Sequence, residues 1–208
     1  MKKPIPMIFV VDDDPSVRKS LERLMKSVGF KVETFVSAEE FLQRKPYSGP
    51  SCLVLDVRMP GLSGIDLQKE LAQKEISLPI VFITGHGDIP MSVKAMKDGA
   101  VDFLPKPFDE KDLLSAIDQA IDRDVQSRKQ QIEKAIIQRR LDTLTPREYQ
   151  VLRWLITGML NKQIAYELGI TEKTVKVHRS RVMRKMGIVS VAELVRLAQK
   201  VEITPPKN

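Results

Sequence analysis

Sulfur and metal chemistry have little to work with in this chain. One cysteine, Cys52, cannot form an internal disulfide, and with only two histidines, His86 and His178, a zinc site cannot be assembled. Aromatic residues amount to 5%, with a single tryptophan. The longest apolar runs, residues 7–11, 52–55 and 80–83, fall far short of the ~18 residues that a membrane span needs. Lys2 and Lys3 precede apolar residues, but Asp12-Asp13-Asp14 follows at once, which argues against a signal peptide. Residues 110–145 contain neither glycine nor proline, and the apolar stripe thins across Asp122 to Gln131, so one long, partly solvated helix is expected there. Together these absences point to a cytoplasmic protein with no membrane partner.

What remains is an ordinary globular composition, 42% apolar and 29% charged over 208 residues, long enough for two domains. The net charge of +7 is unevenly spread. Residues 1–124 carry 17 basic against 20 acidic side chains, whereas residues 143–208 carry 12 against 5. A mildly acidic front joined to a basic C-terminal third suggests that the latter is drawn to a polyanion.

The front half alternates short apolar runs with amphipathic stretches. Strands are expected at 7–11, 52–55, 80–83 and 101–104, with Val32, Thr34 and Val36 alternating as a further one. Between them fall helices: from Pro15 to Gly29, from the capping box Ser37-Ala38-Glu39-Glu40, near 64–74 and 90–98, and from 109 onward. Five such alternations imply an α/β fold, a doubly wound five-stranded parallel sheet with right-handed crossovers. Reactive groups in such a sheet gather beyond the carboxyl ends of its strands.

That rim collects a specific set of side chains. Asp12, Asp13 and Asp14 follow the first strand, Asp56 ends the third, Thr84 ends the fourth and Lys106 stands past the fifth. Asp14, beside Pro15, reads best as a helix cap. Three carboxylates in one place repel unless a hard cation sits among them, and Mg²⁺ suits such a site beside a phosphate. A carboxylate meeting a phosphoryl group there can form an acyl phosphate, with Lys106 neutralising its oxygens and the Thr84 hydroxyl bonding one of them. Arg58 and His86 stand two residues beyond Asp56 and Thr84, where they could tune the access of water or serve only the loops.

Val11-Asp12-Asp13-Asp14, Leu55-Asp56-Val57-Arg58-Met59-Pro60-Gly61, Ile83-Thr84-Gly85-His86-Gly87 and Lys106-Pro107-Phe108 resemble the receiver domain of bacterial two-component response regulators, the stretch from Thr84 to Phe108 being similar to the FixJ branch. The resemblance implies a flavodoxin-like receiver in which Asp56 accepts the phosphoryl group. It makes Asp12, Asp13 and Asp56 the Mg²⁺ ligands together with the Arg58 carbonyl, Thr84 the switch hydroxyl, Phe103 the switch aromatic and Lys106 the phosphate contact. A sensor histidine kinase would be the phosphoryl source. The receiver would catalyse only its own phosphorylation and dephosphorylation, so no enzyme with an external substrate is expected. Receiver, linker and output are placed at residues 1–122, 123–142 and 143–208.

The output segment reads as an all-α unit. Thr145-Pro146-Arg147-Glu148 and Ser190-Val191-Ala192-Glu193 are capping boxes, and Asn161 and Thr171 are read as caps of two further helices separated by Gly169. A short helix, a glycine turn and a longer basic helix make a helix-turn-helix. On residues 172–186 Val175, Val182 and Met186 cluster as the core face, opposite Lys173, Lys176, Val177, Ser180, Arg181 and Arg184. Such a face suits a major groove. Arg179 falls toward the core edge and His178 on the flank.

Asn161-Lys162-Gln163-Ile164-Ala165 and Thr174-Val175-Lys176-Val177-His178-Arg179 resemble the LuxR-type helix-turn-helix. The resemblance makes Lys176, Val177 and Ser180 base-contacting, puts Lys173, Thr174 and Arg181 nearer phosphates, and implies dimerisation on DNA through the last helix, near 190–200. The whole chain is thus similar to FixJ/NarL-type activators, with promoter DNA and RNA polymerase as partners. A dehalogenase-type phosphatase would need a second Asp two positions after the nucleophile, where Arg58 stands. Single-stranded RNA as the basic unit's partner is disfavoured because its exposed helix face offers no aromatic platform.

Overall fold

The apolar runs separated by polar punctuation in the front half become five parallel strands. The computed structural model describes residues 5–85 and 89–206, and the chain divides into two units, Met1–Arg128 and Lys129–Asn208. In the first unit β1 (Met7–Val11), β2 (Lys31–Phe35), β3 (Ser51–Asp56), β4 (Ile80–Thr84) and β5 (Asp102–Pro105) form one sheet in the order β2-β1-β3-β4-β5. Between them run α1 (Pro15–Ser27), α2 (Ala38–Leu42), α3 (Gly64–Gln73) and α4 (Ile89–Lys97), and α5 (Glu110–Leu141) follows β5.

Alternation along β1 shows how the layers form. Ile8 and Val10 pack with Leu21 and Met25 of α1 and Leu113 and Ile117 of α5. Phe9 and Val11 pack on the other face with Phe41 of α2, Leu67 and Leu71 of α3 and Ala95 of α4. A strand covered on both faces reads as a nearly continuous apolar run, and every residue of β3 and β4 is buried, with polar side chains only at the ends, Ser51, Asp56 and Thr84. Each fully buried large aliphatic or aromatic side chain contributes about 1.5–3 kcal/mol.

Several local expectations need correction. Asp14 does cap α1, its carboxylate accepting from the Ser16 N–H at 2.7 Å. Val36, however, lies outside β2 and is exposed, because the strand ends at the buried Phe35, whose ring packs against Phe9 and Phe41. At α2 the Ser37 hydroxyl accepts from the Glu40 N–H, but the Glu40 carboxylate bonds the N–H of Val36, one residue before the cap. The same shift occurs with Glu193 and Val189 at the last helix. Both carboxylates thereby satisfy a donor just outside the helix.

The long helix is continuous over 32 residues, as the missing glycine and proline foretold. Its middle is less solvated than expected. Asp124 is buried, accepts from the Ser51 N–H at 2.9 Å and pairs with Arg128, whose guanidinium also reaches the Ser48 carbonyl. Charge there joins helix to sheet.

The second unit is helical: α6 (Pro146–Leu155), α7 (Asn161–Leu168), α8 (Glu172–Met186) and α9 (Val191–Lys200). Val151, Leu152, Leu155, Ile164, Val175, Val182, Met186 and Leu194 form its core, which Trp154 joins. Thr145 and Glu148 complete a reciprocal capping box at α6. Asn161 does not cap α7: the cap is Leu160, and Asn161 sits in the first turn, its amide oxygen accepting from Arg179 at 3.2 Å. Gln163 alone reaches back, accepting from the Leu160 N–H at 2.8 Å.

Candidate functional site

Sheet order places the first site. β1 and β3 are neighbours whose crossovers leave in opposite directions, that of β1 to β2 and that of β3 to β4, and the crevice outside their carboxyl ends is where such sheets bind ligands. Val11 is in register with Leu55, so Asp12 and Asp56 are the next pair beyond them. Asp56 is level with Ile83, and Thr84 with Pro105, so Thr84 and Lys106 complete the same rim.

Asp12 is 1% exposed and Asp56 5% exposed, rare burial for carboxylates. Both accept from one ammonium: Lys106 Nζ lies 2.6 Å from Asp12 Oδ2 and 2.8 Å from Asp56 Oδ1. The second oxygen of Asp12 accepts from the Asp14 N–H at 2.9 Å, and that of Asp56 from the Arg58 N–H at 2.8 Å. Lys106 is itself held by its N–H on the Thr84 carbonyl at 2.7 Å, and its bond to Pro107 is cis. Thr84 is buried beside them.

Loss of hydration dominates at Asp56. Burial pushes its carboxyl above the usual carboxylate range, against the hydrogen bond and charge of Lys106, while the charge of Asp12 adds to the rise. Burial likewise disfavours the Lys106 cation, but its hydrogen bonds to Asp12 and Asp56 outweigh that and raise it. An ion pair alone would have lowered the carboxyl. At Asp56 burial therefore outweighs the ion pair.

Asp13 is exposed at the rim, because the chain leaves the sheet after Asp12 to enter α1. Among the described residues no three acidic, histidine or cysteine side chains are grouped tightly enough to hold a metal by themselves. Two converging carboxylates still fit Mg²⁺, which takes one or two and keeps waters elsewhere in its shell. Phe103 is half-buried on β5, its ring 6.0 Å from that of Phe82 and packed against the core on the α4 face. His86 lies outside the described residues.

Two contributors escaped the sequence reading. Arg18 of α1 donates to the Asp12 carbonyl at 2.6 Å. Gly64 opens α3 against β3 so closely that a Cβ would stand 2.2 Å from the Asp56 carbonyl oxygen. A glycine where a helix starts right after the acid loop was the available signal.

The second candidate site is α8. Val175, Val182 and Met186 are buried, and Lys173, Lys176, Val177, Ser180, Arg181 and Arg184 are exposed on the other side. Thr174 is half-buried, its hydroxyl 2.9 Å from that of the cap Thr171. Arg179 is spent on Asn161, as its edge position suggested, and His178 packs with Nδ1 buried and without a hydrogen-bond partner. Glu148, read only as part of a cap, does more. It accepts from Lys185 Nζ at 2.6 Å and from the Thr145 N–H at 2.9 Å, which holds its carboxyl down at about 2. That bond fastens α8 to α6.

A family profile described as the response regulator receiver domain matches residues 8–118, and one described as bacterial regulatory proteins, luxR family, matches residues 142–198. The nodulation protein W of Bradyrhizobium diazoefficiens is 52% identical over 95% of this chain and 87% of its own. The response regulator protein TodT of Pseudomonas putida is 46% identical over 94% of this chain and 86% of its own. Among solved structures, the low-resolution structure of the response regulator StyR aligns with a TM-score of 0.82 at 51% identity, covering 95% of this chain and all of that one.

Proposed function

This chain belongs to the response regulators, with a receiver domain followed by a luxR-family DNA-binding unit, and from that premise we propose that a phosphoryl group on Asp56 switches a sequence-specific transcription activator. The observation that carries the reading is the shared ammonium. Asp12 and Asp56 are buried at one crevice, and Lys106 is bonded to both.

Asp56 attacks the phosphorus of a phosphohistidine on a sensor kinase. Its carboxylate oxygen forms the new P–O bond, the P–N bond breaks, and the imidazole nitrogen keeps the electron pair and takes up a proton. Asp12, Asp56, Asp13 at the rim and the Arg58 carbonyl would hold Mg²⁺, which supplies charge neutralisation for the transferring group. Lys106 turns from the carboxylates to a phosphoryl oxygen, and the Thr84 hydroxyl donates to another. The Arg58 N–H keeps the second Asp56 oxygen in place, so the oxygen that Lys106 releases is the one that attacks.

Phosphorylation adds about −1.5 to −2 charges at the rim. Recruiting Thr84 away from the β4 end opens room beside Phe82 into which the half-buried Phe103 turns, which alters the face built by α4, β5 and α5. The C-terminal unit reads promoter DNA through Lys176, Val177 and Ser180, with Lys173, Thr174 and Arg181 nearer phosphates. The phosphorylated chain acts in the cytoplasm as a homodimer that engages RNA polymerase. It turns over no external substrate, and among the described residues no helix is long and apolar enough to cross a membrane.

The test is labelling with acetyl phosphate or a cognate kinase. Asp56→Asn is expected to take up no stable phosphoryl group, and labelling of that variant to the wild-type level refutes the assignment.

A further inference from the structure

The last turns of α5 pack inside the C-terminal unit. Ile137 is 2% exposed and Leu141 8% exposed, in the same core as Val151, Leu155, Val175 and Val182. Two polar bonds then tie this end of α5 to α8. Arg140 Nη1 donates to the carbonyl of Met186, the last residue of α8, at 2.7 Å. Lys185 Nζ donates to the carbonyl of Thr143, two residues past α5, at 2.8 Å.

A helix ends with carbonyls that lack intrahelical partners. At α8 the chain turns through Gly187 in the left-handed conformation, φ +63, so that the Gly187 and Ile188 N–H groups bond the carbonyls of Arg184 and Met183. The Met186 carbonyl is taken by Arg140 instead. Its guanidinium lies so close over the turn that a Cβ on residue 187 would come 3.4 Å from it. A cation there also complements the negative end of the helix dipole.

We propose that Arg140 is a positioning residue for DNA recognition, and that the DNA-binding unit begins within α5 rather than after it. By capping the C-terminal end of α8, Arg140 fixes the seat of the helix whose outer face carries Lys176, Val177, Ser180 and Arg181. Fraying of that end would loosen the orientation of every group aimed at the groove. The inference rests on the reading of α8 as the groove helix.

The probe is the duplex that the wild-type full chain enriches from a randomised library. Arg140→Met keeps the stem and loses the donor, and it is expected to weaken binding to that duplex about tenfold. Arg139→Met, the same charge change at the exposed neighbour, should stay within about twofold of wild type. Salt dependence separates the roles: a lost phosphate contact reduces the slope of log K against log salt by about 1, whereas lost positioning leaves it unchanged. Trp154 fluorescence checks that each variant is folded, and Arg140→Lys, which keeps a donor, provides a second reading should the methionine variant unfold. In both Arg140 variants binding should follow amide-exchange protection in the last turn of α8. Protection lost with binding intact, a reduced slope, or equal binding by the Arg140 and Arg139 variants overturns the proposal. A wild-type chain that enriches no duplex overturns the groove reading itself.

Discussion

Replacing Glu148 with Gln should weaken the C-terminal unit in a way that acid erases. The Glu148 side chain is 3% exposed, and its partner Lys185 is 28% exposed. The carboxylate answers both the Lys185 ammonium and the Thr145 N–H, and the hydrogen bond from Lys185 is the main reason that its pKa falls from 4.5 to about 2. That fall corresponds to about 3 kcal/mol of folding free energy, an upper figure because the lysine is partly solvated. A depressed carboxyl stabilises fully above its unfolded pKa. The contribution is therefore whole at neutral pH, begins to fade near 4.5 and is gone below about 2. Glu148→Gln keeps the shape and an acceptor but loses the charge, so about 2–3 kcal/mol should disappear at pH 7.

Trp154, the one tryptophan and largely buried in the same core, reports this unit's unfolding within the full chain. With a urea slope of about 1 kcal/mol/M for a unit of this size, the midpoint should drop by roughly 2–3 M. The gap between wild type and variant should shrink by roughly 40% at about pH 3.5. Lys185→Met should cost a similar amount alone and add little to Glu148→Gln. A variant midpoint within about 0.3 M of wild type at pH 7, or a gap that does not change on acidification, refutes the assignment of stability to this pair.

Lys176→Ala should lose about 1–3 kcal/mol at the selected duplex and relax base preference at one position, and an unchanged sequence profile counts against the groove assignment. Gly64→Ala forces a Cβ to 2.2 Å from the Asp56 carbonyl, so the receiver should lose at least about 2 kcal/mol by circular-dichroism melting and label poorly; a variant that melts and labels as wild type contradicts that packing. A fragment of residues 129–208 should bind DNA with strong salt dependence, whereas 143–208, stripped of Ile137, Arg140 and Leu141, should be markedly less stable in urea. Equal midpoints for the two fragments would show that the end of α5 is dispensable.

Apolar period and turn chemistry are local properties, and they were legible. The five strands, the continuous α5, the Asp14 cap, the inward face of α8 and the Thr145 box all follow from neighbours within a few residues. The rim of Asp12, Asp56, Thr84 and Lys106 was legible too, because parallel topology brings every strand's carboxyl end to one side. Asn161 misled because a good capping residue one position into a helix looks the same in sequence as one at the cap, and only the fold gives it Arg179 as a partner. Asp124 looked like a solvated helix residue, yet it is buried against the start of β3.

Composition and spacing alone therefore determined the two kinds of architecture, the acidic crevice and the basic outer face of α8. Three-dimensional packing decided which charges meet: Lys106 between two carboxylates, Glu148 with Lys185, and Arg140 on the end of α8. The physical reason is range. Helical and strand periods are written over a few residues, whereas a buried charge finds its partner across 37 to 94 residues of chain, and only the closed fold sets that distance.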